Sequence, residues 1–226
     1  MAGTITRVGT CARRLAQVGI KAAGVTLSWS TSLAPIAPSL DRTNFHGRTV
    51  SLRGGVGVAA GSVMAAIDTG RLLRGASAAP RRGSRVRLAA TLATAAGGCA
   101  GLIDDLDAGA HDGDAPAKGL KGHLTALAHG RVTTGALKIA VIGSGALVGG
   151  VLLARDRSAA ADGRALAASA IDAASSAVVI ASWANLLNLL DLRPGRALKT
   201  ASIVSAPLLA TPGRDGESTR LLAAGT

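Results

Sequence analysis

Two adjacent carboxylates, Asp104 and Asp105, follow an uncharged run of sequence that begins at Leu88. Two like charges side by side repel each other, so such a pair is most stable where a divalent cation or a cationic ligand offsets its charge. At the end of an apolar segment, the pair therefore indicates a metal-assisted phosphate site at a membrane face. The alternative is a solvated helix end, which is the usual role of surface acids.

Basic residues follow the aspartates along the chain. Lys118, Lys121 and His123 lie in the next polar segment, and Lys138 lies where the next apolar run begins. Carboxylates can hold a hard cation such as Mg²⁺, while lysines meet the remaining charge of a phosphate. This division of charge is what phosphoryl transfer requires.

A third polar group interrupts an apolar run near residue 190. Asn185, Asn188 and Asp191 are three residues apart, so on a helix they form one polar stripe. Polar side chains at the end of a membrane helix are costly unless they are satisfied, which makes them functional candidates. The alternative is a hydrogen-bonded seam between two helices.

A polar segment earlier in the chain contains Asn44 and Arg48 and leads to Gly54 and Gly55. Glycines at a helix N-terminus can bring backbone N–H groups close to a phosphate. The alternative use of these glycines is close packing between helices.

The elements that must position these residues are predicted to be membrane helices. The chain is 48% hydrophobic and 17% charged, and its mean hydropathy is +0.37, which is typical of a membrane protein. We expect an all-α, polytopic bundle of about six transmembrane helices, forming one domain over 1–212 with a polar tail at 213–226. The candidate spans are 22–40, 54–67, 88–103, 139–154, 173–190 and 197–212. Gly145 and Gly149 have the small-xxx-small spacing of closely packed membrane helices.

Strict alternation of these spans places the polar groups on one side of the membrane, because they follow the first, third and fifth spans. The formal charge of +12 is not accompanied by an aromatic and basic surface, so nucleic acid is not expected as a partner. Anionic lipid and phosphorylated substrates are the expected partners, together with the bilayer itself.

Four motifs occur in a fixed order along most of residues 44–199. They are Asn44-Phe45-His46-Gly47-Arg48 with Gly54-Gly55; Gly101-Leu102-Ile103-Asp104-Asp105; Lys118-Gly119-Leu120-Lys121-Gly122-His123 with Thr134-Gly135-Ala136-Leu137-Lys138; and Asn185-Leu186-Leu187-Asn188-Leu189-Leu190-Asp191. Together they resemble the polyprenyl-phosphate N-acetylhexosamine-1-phosphate transferases. This is the family of phospho-N-acetylmuramoyl-pentapeptide transferase, also called glycosyltransferase family 4.

The resemblance implies a multi-pass plasma-membrane enzyme of cell-envelope polysaccharide synthesis whose active face is cytoplasmic. It would transfer a phospho-N-acetylhexosamine from a UDP-sugar to a polyprenyl phosphate, with Mg²⁺ as cofactor and release of UMP. By motif, Asp104, Asp105 and Asp191 would be catalytic and metal-binding. The substrate-binding residues would be Asn44, Arg48, Gly54, Gly55, Lys118, Lys121, His123, Lys138, Asn185 and Asn188. A homodimer is left open.

The sequence departs from the family pattern after Lys199. The later Gly-Asp-x-Gly motif of the family is not found there, and Gly213-Arg214-Asp215-Gly216 has an aspartate in a different setting. The alternative expectation is therefore a shortened, catalytically silent member that binds a membrane ligand or a partner protein.

Overall fold

A computed structural model describes residues 17–29, 32, 40–43, 47–74, 84–107, 119–159, 165–191 and 195–210. The elements in chain order are helix α1 at residues 17–29, strands β1 (Asp41–Thr43) and β2 (Thr49–Ser51), and helices α2 (Arg53–Arg74), α3 (Ser84–Asp107), α4 (Gly119–Ala128), α5 (Thr134–Ser158), α6 (Leu166–Leu190) and α7 (Arg196–Ala210). The strands pair antiparallel, with Asp41 opposite Ser51. The described chain is therefore helical, as predicted, apart from one short hairpin that the sequence did not indicate.

Three helices are long and apolar enough to cross a membrane: α3 with 24 residues, and α5 and α6 with 25 residues each. At a rise of 1.5 Å per residue, each exceeds the hydrocarbon thickness of about 30 Å. They contain the predicted segments 88–103, 139–154 and 173–190, and they indicate a membrane protein.

The other three predicted segments differ from expectation. Helix α2 contains the segment 54–67, but its C-terminal part carries Asp68, Arg71 and Arg74. Helix α7 has only 15 residues and includes Pro207. Helix α1 covers part of 22–40, most of whose remaining residues lie outside the described ones.

The helices pack mainly against neighbours in sequence. Helix α3 lies between α2 and α5, and α5 lies between α3 and α6, while α4 rests on α5 and α7 makes a smaller contact with α6. Helix α1 reaches α2, where the carbonyl oxygen of Gly19 approaches Gly61. The helices of the described chain therefore form a row in which successive elements are in contact.

Glycines permit the closest helix contacts in this row. A Cβ atom added at Gly145 of α5 would overlap Ala96 of α3, and one added at Gly150 would overlap the backbone of Ala173 in α6. A Cβ at Gly149 would lie 3.2 Å from the side chain of Ile180. The small-residue spacing of α5 therefore serves close packing on both of its sides, as predicted.

Small residues fill the interior, and bulky apolar residues lie outside. Among the described residues, the buried hydrophobic side chains are all alanines, whereas Ile171 is 71% exposed and Val179 is 67% exposed. Large exposed apolar surfaces are unfavourable in water and mark contact with lipid or protein. This distribution agrees with helices that meet through small residues and present large side chains to lipid.

The antiparallel order of α3, α5 and α6 gives the row two ends. At the first, Lys138 at the start of α5 contacts Asp104 at the end of α3. At the second, Nη1 of Arg85 donates to the carbonyl oxygen of Arg155, 3.4 Å away. We call the first the aspartate end and the second, which also carries Arg87 and Arg157, the arginine end.

Candidate functional site

The aspartate pair lies in the last turn of α3, where the apolar run has ended. Oδ2 of Asp104 is 2.8 Å from Nζ of Lys138, and the carboxylate side chain is 49% exposed. The pair is therefore a charge-assisted hydrogen bond at the boundary between an apolar helix and solvent. Asp104 and Lys138, which the sequence analysis placed in one site, are in direct contact.

Lys138 also reaches the third polar group. Its Nζ atom donates to Oδ1 of Asn188, 3.0 Å away, so one ammonium group joins α3, α5 and α6. The Lys138 side chain is only 18% exposed, and a lysine so placed is stable because both bonds compensate for lost hydration. Asn188 was predicted either to line a functional site or to form a hydrogen-bonded seam between helices. Its bond to Lys138 joins two helices at the position of the predicted site, so it agrees with both interpretations.

The β-hairpin brings a second cation to the same place. Nη2 of Arg42, in β1, donates to the backbone carbonyl oxygen of Asp105 at 3.3 Å. The hairpin is held to the start of α2 by Arg53, whose Nη1 is 3.3 Å from Oδ1 of Asp41. The segments that follow the first, third and fifth predicted spans therefore meet, as alternation of the spans predicted.

Asp105 experiences charges of both signs. Asp104 and Asp191 repel its ionised form, whereas Lys138 and Arg42 attract it. Asp191 caps the C-terminus of α6, where its backbone N–H donates to the carbonyl oxygen of Leu187 at 3.0 Å. Two further carboxylates and two cations thus lie within electrostatic range of Asp105, so the cations Lys138 and Arg42 offset part of the negative charge of the aspartates.

A second polar network adjoins the aspartate end. Nδ1 of His123 is 2.9 Å from Oγ1 of Thr133, and that hydroxyl accepts the N–H of Ala136 as the N-cap of α5. The next residue, Thr134, donates its hydroxyl to Asp107. The network ties α3, α4 and the start of α5 together.

Helix α4 was not anticipated, because the sequence analysis treated the polar segment after Asp105 as a loop. The segment contains no long apolar run, and its ten helical residues begin at Gly119, whose positive φ of 67° is readily adopted only by glycine. The His123 ring packs directly against Gly135, where a side chain would overlap it. His123 is thereby a connecting residue between α4 and α5.

The remaining predicted site residues are placed as follows. Arg48 is exposed between the two strands, Lys121 is exposed on α4, and Asn185 is exposed on α6. Asn44 and Lys118 lie outside the described residues. Among the described residues, Lys121 and Asn185 form no hydrogen bond with Lys138, Asp104 or Asn188.

Gly54 and Gly55 stand in the first turn of α2 and face open space, so their close-packing alternative is not supported. The N–H of Gly55 donates to the carbonyl oxygen of Leu52 at 3.1 Å. That donor is used within the chain, which weakens its predicted role as a phosphate ligand.

The three aspartates predicted to bind Mg²⁺ do not form a compact ligand set. Among the residues that the structure describes, no group of three or more His, Cys, Asp or Glu side chains is placed to hold a metal ion. Successive helical residues differ by about 100° in direction, so Asp104 and Asp105 diverge. The Mg²⁺ site therefore stays a prediction, and the described positive charge near the carboxylates comes from Lys138 and Arg42.

Sequence reasoning missed three contributors to this region. Arg42 was noticed only as part of a basic segment, and Thr133 and Asp107 were given no role. A threonine before a helical run is a recognisable N-cap signal, so Thr133 was accessible to prediction. The Arg42 contact depends on the hairpin, for which the three-residue strands give almost no sequence signal.

Comparisons with protein-family models, with curated proteins and with solved structures found no match. Function is therefore inferred from the residues and contacts of the aspartate end.

Proposed function

We propose that this protein is a membrane phosphotransferase that moves a phospho-N-acetylhexosamine from a UDP-sugar to a polyprenyl phosphate and releases UMP. The proposal includes membership of the polyprenyl-phosphate N-acetylhexosamine-1-phosphate transferase family and a role in cell-envelope polysaccharide synthesis.

The observation that carries the proposal is the contact of Lys138 with both Asp104 and Asn188. The partners are 34 and 50 residues away in sequence, and each belongs to a different one of the motifs that resemble the family. Helix packing alone requires only apolar and small residues, so a polar junction of three apolar helices supports a functional role.

The charges of the junction suit a reaction between two phosphates. Release of UMP requires that an oxygen of the polyprenyl phosphate bond to the β-phosphorus of the UDP-sugar while the bond from that phosphorus to the bridging oxygen breaks. Both reactants are anions, and cations reduce their repulsion. Lys138 has three N–H donors, of which Asp104 and Asn188 use two, so one is left among the described contacts for a phosphate oxygen.

Asp105 has the role of proton acceptor in this proposal. The second ionisation of a phosphate monoester lies near neutrality, so a carboxylate is a suitable base for the lipid phosphate. Arg42 adds positive charge beside it through the contact with the Asp105 carbonyl.

Further parts of the proposal concern the membrane and the cofactor. They are six spans, a cytoplasmic aspartate end at the plasma membrane, a possible homodimer, and dependence on Mg²⁺. The Mg²⁺ requirement comes from the family resemblance, and the carboxylates would have to rearrange to bind the ion.

The test is UMP release by the purified chain in detergent. Undecaprenyl phosphate is the acceptor, and UDP-N-acetylglucosamine and UDP-N-acetylmuramoyl-pentapeptide are offered separately as donors, with and without Mg²⁺. We expect acceptor-dependent release with one donor. Absence of release with both donors, from folded protein, would reject catalysis with these substrates.

Two variants test the site assignment. Asp105→Asn and Asp191→Asn should each abolish release while membrane insertion is unchanged, because both residues lie in the charged cluster. Asp156→Asn, at the arginine end, is the matched control and should retain activity. Activity in both site variants would contradict the assignment.

A second candidate function is binding without catalysis. Two observations favour it. Lys138 binds Asp104, which was predicted to be a metal ligand, and the predicted metal-binding aspartates do not form a compact ligand set among the described residues. In that case the protein would retain UDP-sugar or polyprenyl phosphate, measurable by equilibrium binding, without releasing UMP.

A further inference from the structure

The arginine end contains a cavity that the proposed function does not use. It has a volume of about 300 Å³ and is lined by Ile67 of α2 and by five residues at the start of α3. These five are Ser84, Arg85, Arg87, Leu88 and Thr91. Its volume is at the lower end of the range of small-molecule sites, about 300 to 1,000 Å³.

Two arginines, Arg85 and Arg87, line the cavity, and they end a strongly basic stretch of sequence. The sequence from residue 71 to residue 87 contains six arginines and no acidic residue. They are Arg71, Arg74, Arg81, Arg82, Arg85 and Arg87. Their number was unexpected, because the topology implied by the family motifs places this segment outside the cell, and positive residues favour the inside.

The two arginines of the cavity are not paired with a carboxylate in any described salt bridge. Among the described residues, neither Arg85 nor Arg87 forms a salt bridge. Arg85 donates one N–H to the carbonyl oxygen of Arg155. The nearby acid Asp172 is engaged by Arg157, with Oδ1 and Nη2 at 2.7 Å. A guanidinium has five N–H donors arranged to match phosphate oxygens, so donors remain for an anion.

The other wall of the cavity is apolar and continues into the hydrocarbon-facing part of α3. Leu88 is 46% exposed, and Leu92, one turn further along the helix, is 37% exposed. Leu88 also begins the uncharged run that makes α3 a candidate membrane span. Two arginines and an exposed leucine therefore line the same cavity, and the arginines precede the apolar run of α3, as the headgroup of a phospholipid adjoins its acyl chains.

We propose that this cavity binds an anionic phospholipid, with its headgroup phosphate held by Arg85 and Arg87 and its acyl chains along Leu88 and Leu92. A basic pocket between membrane helices is a known physical arrangement for anionic headgroups. A free phosphate would use the arginines but not the exposed leucines, which is why lipid is the favoured ligand. The site is independent of the proposed transferase activity.

The experiment uses the full chain, purified in non-ionic detergent and depleted of lipid. Phosphatidylglycerol and phosphatidylcholine are titrated separately, and native mass spectrometry measures the lipid-bound fraction. Inorganic phosphate is added in competition, so that a phosphate site and a lipid site give different results. We expect phosphatidylglycerol to bind at least about 10-fold more tightly than phosphatidylcholine, because no choline ammonium offsets its phosphate charge and each of two basic residues near an anionic headgroup favours binding by about 5-fold, less at high salt.

Four variants refine the test. Arg87→Gln should weaken phosphatidylglycerol binding by about 5-fold, and the double variant Arg85→Gln with Arg87→Gln by roughly 30-fold. Arg87→Lys should restore most of the loss because it keeps the charge. The matched control is Arg131→Gln, an exposed arginine at the aspartate end, which should change binding by less than about 2-fold.

Equal affinity for the two lipids in the unmodified protein would overturn the proposal. So would unchanged binding in Arg87→Gln, which decides the question even if the double variant does not fold, since Arg87 makes no described salt bridge. Displacement of the lipid by equimolar inorganic phosphate would assign the cavity to free phosphate instead.

Discussion

The two ends of the helix row use charge differently. At the aspartate end, Lys138 and Arg42 make contacts across sequence separations of 34, 50 and 63 residues. At the arginine end, the strongest contact is local: Arg157 binds both carboxylate oxygens of Asp172, at 2.8 and 2.7 Å, and Oγ of Ser176 at 2.6 Å. The separations of the Arg157 contacts are 15 and 19 residues, although a weaker hydrogen bond at the same end, from Arg85 to the Arg155 carbonyl oxygen, spans 70 residues.

We call the contacts of Lys138 with Asp104 and Asn188 the junction, and the contacts of Arg157 with Asp172 and Ser176 the clamp. The Arg157 contacts join α5 to the helix that follows it, so they fix one helical hairpin. The Lys138 contacts join α3, α5 and α6 and leave a donor available among the described contacts. Side chains from distant parts of the chain that converge on one charged point are what a binding or catalytic site requires. At the aspartate end, Lys138 joins side chains of three helices in this way.

The largest expected effect is the loss of activity in Lys138→Gln. If the aspartate end is the reaction site, UMP release should fall by at least about 100-fold, because a positioned donor to a reacting phosphate is lost. Lys199→Gln, an exposed lysine of α7 near the same end, is the control and should retain release. A variant of Lys138 with nearly normal release would remove the functional contrast between the two ends.

The second largest effect concerns the packing of α5 against α6, two helices that run between the two ends. Gly150→Ala should lower the free energy of unfolding by about 1 to 3 kcal/mol, because the new methyl group overlaps the backbone of Ala173. Gly143→Ala is the matched control on the same helix. No atom of the described chain lies within 4 Å of its added Cβ, so stability should stay equal or rise by up to about 1 kcal/mol.

Denaturant titration in detergent micelles measures both glycine variants. Similar destabilisation by the two substitutions would mean that the effect comes from helix flexibility and not from the α5–α6 contact.

A smaller effect is expected from breaking the clamp. Asp172→Asn removes the charge that binds Arg157 and should lower stability by about 1 kcal/mol, since the arginine is partly exposed. Asp156→Asn, which breaks no described salt bridge, should change it less. Thermal unfolding and UMP release are compared in parallel. A loss of activity without a loss of stability in Asp172→Asn would extend the functional site to the arginine end.

The smallest effect is the coupling inside the junction. A double-mutant cycle with Lys138→Met and Asn188→Ala should give a coupling energy of about 0.5 kcal/mol in unfolding, typical of an interhelical hydrogen bond in a membrane protein. The same cycle with Asn185→Ala should give a value near zero, because Asn185 is not bonded to Lys138. Equal coupling in the two cycles would indicate a general effect of polarity on α6.

The main helices and the convergence of the polar groups could be predicted from sequence. Uncharged runs such as 139–154 are long enough to specify helices without knowledge of their neighbours, and alternation of helix direction then places Asp104 and Asn188 at the same end. Both predictions use only the lengths of the apolar runs and their order along the chain, which can be read from the sequence.

Other features depend on contacts that no local pattern contains. Lys138 was predicted to meet a substrate phosphate, which stays a prediction, but its contacts with Asp104 and Asn188 depend on its position one turn into α5 and were not predicted. The expectation of a metal site treated the adjacent aspartates as one ligand group, although neighbouring helical side chains diverge. Helix α4 was missed because it has only ten residues, which are too few to give a clear periodic pattern of apolar positions.

The row of helices has a consequence for the order of assembly. Helices α2 and α3 are neighbouring segments, whereas α3 and α5 are separated by α4, and contacts between segments nearer in sequence can form earlier as a chain is synthesised. The Lys138–Asn188 bond requires α6, which emerges later. During synthesis, therefore, Lys138 can pair with Asp104 while α6 is still missing, so the complete charged cluster requires that α6 has been made.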